Sequence, residues 1–354
     1  MGCEARHAVS RPDRASRTPA PNARAGWQAW GMRRPLAILA GVLLTGALTL
    51  PASAADGAGN EDFTIKDPRI TESSGLAASR QHKGIYWTHN DQDTGAYLYA
   101  VDSATGKTVA RITMTGVGTP RDVEAISMGP DNQLYVGDIG DNDGVEWPYV
   151  WVYRLPEPKV LKDQTVRATQ YVVKYSDGPR DAESMVVHPK TGRVYIIDKQ
   201  EEGGHLYVGP EKLSPSGTNV FEPTTPVDLW ATDAAFSPDG KRLVVRGYFG
   251  GLAYDWNGGR LKRLERVSVP LGQGESVSYS PDGSKIMLGS EGLNSRVVAK
   301  DAPGDTEAGE SSSGGDSASS DGDGGSDGTL KAGAVAVAAV LVVLFALRRL
   351  FRRA

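Results

Sequence analysis

Cysteine is almost absent from this chain: its 354 residues include one, Cys3, and that residue lies upstream of the segment expected to be exported. The exported part therefore carries no thiol, which excludes a disulfide framework, a thiol nucleophile and a Cys-ligated metal there. A domain of this size is stable on its core alone, so it needs no such staples. Also missing are G-x-S-x-G, a phosphate-binding glycine loop, H-E-x-x-H and a dinucleotide fingerprint. The two lone histidines His89 and His188 have no nucleophile motif beside them, and covalent catalysis has no support. No segment between residues 60 and 300 shows a long helical period. The net charge of -4 and a stretch without Lys or Arg from Asp301 to Gly328 argue against a nucleic-acid partner.

Long apolar runs occur only near the two ends. Met32-Arg33-Arg34 precedes Leu36 to Leu50, and Pro51-Ala52-Ser53-Ala54 follows with the small residues of a signal-peptide cleavage site. Residues 32–54 thus read as a signal peptide, and residues 1–31, rich in Arg, Ala and Pro, as a mis-assigned extension ahead of the true start. Ala332 to Leu347 is uncharged and flanked by Lys331 and Arg348. That is about 24 Å of helix against a hydrocarbon core of roughly 30 Å, which the long basic side chains extend. Residues 330–347 are read as one transmembrane helix and the Arg-rich residues 348–354 as a cytoplasmic tail. The Ser/Gly/Asp-rich residues 301–328 read as a disordered linker. The expected location is a cell membrane, with the folded part, residues 60–300, on its outer side.

That part repeats itself. PRDVEAISMGPD at Pro120 and PRDAESMVVHPK at Pro179 are near copies, and AAFSPDGKRLVVRG at Ala234 and SVSYSPDGSKIMLGS at Ser276 share the same strand, turn and strand. SGLAASRQHKGIYWTHND at Ser74 is a divergent fifth copy. Each is followed by another β-rich run, and the turns lie 43 to 59 residues apart. Units of about four short antiparallel strands at such periods predict an all-β, five-bladed β-propeller. The last copy has three strands, and DFTIKDP at Asp62 is a lone strand, so the N-terminal strand is expected to complete the last blade and close the ring.

The SPDG turns at Ser237 and Ser280 resemble the repeats of TolB-like and WD-repeat propellers of secreted actinobacterial type. SGLAAS with YWTHND is similar to the opening of the esterase-like phytase domain, over the first repeat only. The phytase resemblance implies a calcium-dependent phosphoesterase, of phytase or nucleotidase type, as the alternative to a binding or scaffolding module.

Counting six residues back from each turn places Ser74, Glu124, Glu183, Thr232 and Glu275 at one level of the innermost strands, a ring of side-chain oxygens. Crowded carboxylates require a cation, a proton or neighbouring Arg or Lys. An all-oxygen set suits Ca²⁺, so these five are the candidate metal ligands. The ends of the second strands reach the same face and add Asp91, Asp138, Asp198, Lys199, Arg246 and Glu291 as candidate ligand-binding residues, with His89, Asn90, Asp141 and Tyr248 beside them. Arg121 and Arg180 read as ion-pair partners of Asp122 and Asp181 or as anion contacts. Trp151 and Tyr195 read as packing residues. The expected partners are the membrane and an extracytoplasmic protein, a polysaccharide or a small polar ligand.

Overall fold

The computed structural model describes residues 59–91, 95–142, 144–270 and 273–304. The expected signal peptide, most of the linker, the membrane span and the basic tail lie outside the described residues. Among the described residues no helix is long and apolar enough to cross a membrane.

The chain is all-β. A two-residue strand, β1 (Phe63–Thr64), comes first. The first unit is β2 (Ser73–Ala78), β3 (Ile85–Asn90), β4 (Tyr97–Asp102) and β5 (Lys107–Thr115). The second opens with β6 (Val123–Met128), β7 (Gln133–Asp138) and β8 (Val150–Pro156), leaves for β9 (Gln164–Arg167) and returns as β10 (Thr169–Tyr175). The third is β11 (Ala182–Val187), β12 (Val194–Asp198), β13 (Gly204–Val208) and β14 (Thr218–Val227). The fourth is β15 (Ala231–Phe236), β16 (Arg242–Gly247), β17 (Gly250–Asn257) and β18 (Arg260–Val267). The last is β19 (Gly274–Tyr279), β20 (Lys285–Ser290) and β21 (Arg296–Asp301).

Burial explains the composition of each position. The leading strands β11 and β19 are buried along their whole length, whereas the outer β18, RLKRLERV, is mostly exposed and buries only Val267. Leading strands pack on one another in a closed cycle: β2 on β6, β6 on β11, β11 on β15, β15 on β19 and β19 on β2. Each junction between neighbouring units holds its own apolar cluster, so burial is shared around the cycle, a propeller-like arrangement.

The turns are equivalent. Backbone N–H of Ser79, Gly129, His188, Ser237 and Ser280 donates to the carbonyl of Ile85, Gln133, Arg193, Arg242 and Lys285 respectively. In SPDG the reason is local: Ser237 Oγ accepts from Arg242 N–H and Asp239 from Lys241 N–H, each at 3.0 Å, while Gly240 takes the positive φ of 75° that closes the turn.

β1 pairs antiparallel with β21, Phe63 opposite Val297 and Thr64 opposite Arg296, and Asp62 accepts from Arg296 Nη2 at 2.7 Å and Ala299 N–H at 2.8 Å. The ordered fold continues past residue 300. Ala302 N–H donates to Ser284 O, and Arg242 holds the carbonyls of Pro303 and Gly304. Two links fell outside the sequence reading. β9 pairs parallel with β5 of the first unit, and β10 pairs parallel with β14, joining the second and third units into one eight-stranded sheet.

Candidate functional site

Ser74, Glu124, Glu183, Thr232 and Glu275 are each the second residue of a leading strand, and all five are buried. At each the register with the second strand slips: between Ser73 and Leu76, Val123 and Ala125, Ala182 and Ser184, Ala231 and Asp233, and Gly274 and Ser276. A bulge frees a side chain from the alternation of its strand and re-aims it. The oxygen-bearing level of the sequence is thus a layer of five bulges.

A second layer lies against it, formed by the residue after each second strand: Asp91, Ile139, Lys199, Tyr248 and Glu291. The N–H groups of Asp91, Ile139, Lys199 and Glu291 donate to the carbonyls of Glu72, Asp122, Asp181 and Gln273, each two residues ahead of its bulge residue. Lys199 is the one ammonium in this layer. Its side chain is 8% exposed, it forms an ion pair with Glu183 Oε1, and it stands 5.6 Å from the centre of the Tyr248 ring. Glu183 Oε2 is buried without a hydrogen-bond partner among the described residues.

The charges answer to this crowding. Burial, then Glu183, Asp122 and Asp91, raises Glu124 well above the ordinary carboxylate range, and burial with Glu183 and Glu291 does the same to Glu275. Burial pushes Glu183 up to about 7 against the pull of Lys199. Burial would strip Lys199 of its proton, but Glu183, Tyr248, Asp181 and Glu124 more than reverse this and hold it as an ammonium. Burial and crowding thus drive Glu124 and Glu275 toward the protonated form beside the Glu183–Lys199 ion pair, which supplies the one fixed cation of the layer. Gly140 keeps the space open, since a Cβ there would meet Asp122 Oδ2 at 2.4 Å and Glu124 Oε1 at 2.9 Å.

The other candidates divide. Asp91 and Glu291 stay half-buried in the second layer. Asp138 accepts the N–H groups of Arg121 and Asp122 and the Tyr153 hydroxyl, and Asp198 accepts His205 N–H at 2.6 Å, so both hold the wall together. Arg246 is buried and donates through Nη1 to Ser276 O at 2.7 Å and Gly289 O at 2.6 Å, tying the fourth unit to the fifth. Thr232 donates to Gly274 O at 3.0 Å and Ser74 to Glu72 O at 3.3 Å. Among the described residues no group of three or more His, Cys, Asp or Glu is arranged to hold a metal ion.

Two features escaped the sequence reading. Asp233 is buried and accepts Val277 N–H at 2.7 Å, a link between units whose only sequence signal is an acid inside an apolar strand. Arg121 stacks between Trp147 and Trp151, 3.8 Å from each ring centre, and nothing in the spacing pairs those rings.

No family model matches this chain, and no curated protein matches it. Solved structures similar to it include a 6-phosphogluconolactonase-like protein of Bacteroides uniformis, at 14% identity over 68% of this chain and 70% of the other, with a TM-score of 0.38. A second of that description from Bacteroides fragilis has 13% identity over 68% and 69%, TM-score 0.40. Hydrazine synthase of Kuenenia stuttgartiensis has 18% identity over 66% and 72%, TM-score 0.39. At this level of similarity none of them carries an argument about this chain.

Proposed function

We propose that the five units are the blades of a five-bladed propeller, the last completed by β1, and that the chain is a membrane-anchored extracytoplasmic binding module. Its ligand seat is the mouth formed by the two layers, and its ligand is a small polar molecule bearing hydroxyl or amine groups. One observation carries this reading: of three buried glutamates in the field of Lys199, Glu183 is the one ion-paired with it, and Glu183 Oε2 has no partner among the described residues. Buried polar atoms in native folds are nearly always satisfied, so an open acceptor in this crowded layer is a place for a ligand's donors. Calcium, the cation suggested by the oxygen set, would have to enter against the Lys199 charge, at carboxyls that burial and crowding drive toward the protonated form.

A thermal-shift panel of sugars, polyols, diamines and Ca²⁺ on the full chain tests the reading. A ligand of this class raises the melting temperature of the wild type and not of the Glu124→Gln/Glu275→Gln variant. A panel with no stabilising member, or equal shifts in both proteins, would sink it. The anchoring has its own test: protease added to intact cells should release the fold by cutting within residues 305–328, and a protected fold with an accessible C-terminal tag would reverse the orientation.

A further inference from the structure

At the other end of the leading strands, away from the carboxylate layers, lies a cavity of about 70 Å³. All five leading strands or their turns line it, and Leu76, Ile126, Val187 and Phe236 give it apolar walls. Four of the turns carry proline at this end, Pro130, Pro189, Pro238 and Pro281. In the first unit the corresponding residue is Arg80.

The Arg80 guanidinium has only long contacts to neutral acceptors: Nη1 to Gly129 O at 3.3 Å and Nη2 to Met128 O at 3.5 Å. The carboxylate whose field reaches it, Glu157, is engaged elsewhere. It accepts from the Ser79 hydroxyl, from Trp87 Nε1 at 2.8 Å and from Gln81 Nε2 at 3.3 Å. No acidic side chain among the described residues pairs with Arg80. Ser127, on the same cavity, accepts Val187 N–H at 3.1 Å, which leaves its hydroxyl proton to donate. Ser278 across from it accepts Ala78 N–H and donates to Tyr279 O, so it is already satisfied.

One fork of cationic donors, one hydroxyl donor and an apolar wall together match a single-charged planar anion with a hydrocarbon tail. We propose that this end of the channel binds a short-chain carboxylate, its anionic group on Arg80 and Ser127 and its alkyl chain among Leu76, Ile126, Val187 and Phe236. Sulfate or phosphate would bring more charge than one guanidinium offsets and would leave the apolar wall unused.

Isothermal titration of the full chain with acetate, propionate, butyrate and hexanoate, with sulfate at equal ionic strength as control, reads the proposal directly. Affinity should rise about fourfold for each added methylene until the cavity is full. It should fall at least tenfold in Arg80→Gln and severalfold in Ser127→Ala. Glu183→Gln, at the far mouth, should leave it unchanged, so this site stands or falls apart from the reading above. Arg80 is exposed, and its Gln variant should melt as the wild type does. If it does not, Ala235→Leu, which fills the cavity from another unit, must abolish binding in a folded protein. Sulfate binding as tightly as butyrate, an affinity indifferent to chain length, full binding by either variant, or no measurable heat would each overturn the proposal.

Discussion

In the second unit Arg121 lies flat between two indole rings, whereas in the third Arg180, at the same place in Pro-Arg-Asp-x-Glu, lies among acids and phenols. Arg180 donates to Asp177 and to the Tyr207 hydroxyl, each at 2.7 Å, and stands 3.8 Å from Asp198. The glutamates diverge in the same way. Glu183 meets Lys199, the residue after β12, and the matching residue after β7 beside Glu124 is Ile139. Four residues written alike thus set the same backbone, with the same bulge and the same buried carboxylate. What each charge does is decided by the next strand end, some 15 residues on. A repeat encodes position, and the departures from it encode chemistry.

The largest test of that contrast is Lys199→Met. It removes the only ammonium of the two layers and leaves Glu183 buried and unpaired, so it should cost about 3–5 kcal/mol in chemical denaturation, while Ile139→Met, its counterpart, should cost under about 1.5 kcal/mol. Equal losses would mean that the two copies are equivalent after all.

Arg121→Leu comes next. Two stacked rings are worth about 1–2 kcal/mol together, and the variant should also change the near-ultraviolet circular dichroism of Trp147 and Trp151. Arg180→Leu should cost less, about 0.5–1 kcal/mol, because both it and Asp177 are roughly one-third exposed and water screens the pair. It should leave the tryptophan signal alone.

A further test is a pH slope. Glu183 is raised in the fold to about 7 from an ordinary value of 4.5. The folded protein therefore binds a proton that the unfolded chain has released between those values, and stability falls as pH rises from about 4.5 to 7, by at most about 1.4 kcal/mol per pH unit for one proton. Glu183→Gln should reduce the slope in that window by one proton's share, leaving that of Glu124 and Glu275; a slope that persists unchanged would place the Glu183 titration elsewhere.

How far the sequence foretold this can be argued residue by residue. Ser74, Glu124, Glu183, Thr232 and Glu275 were visible because the turn fixes a register and the register fixes the side chain six residues earlier, a local relation. The pairing of β1 with β21 was visible as a count, one strand short at one end and one spare at the other. β9 and the parallel join of β10 to β14 were not visible, because outer strands are polar and their partners lie in other units. Neither was the stacking of Arg121, since Trp147 lies in the loop between β7 and β8, whose course the repeat does not govern. The extension to Gly304 was hidden by composition: Asp301-Ala302-Pro303-Gly304 reads like the linker it adjoins, yet Ala302 is buried and Arg242 grips the two carbonyls after it.

The pairing of β1 with β21 also sets a clock. Asp62 and Arg296 are 234 positions apart, so for nearly the whole time that the chain is made, the first strand has no β21 to pair with and Phe63, Ile65 and Ile70 have no complete pocket. Closing so long a loop is slow more than it is unfavourable. The pairing of β1 with β21 therefore cannot form before the last strand exists, and a chain in which it has not formed presents an open β-edge.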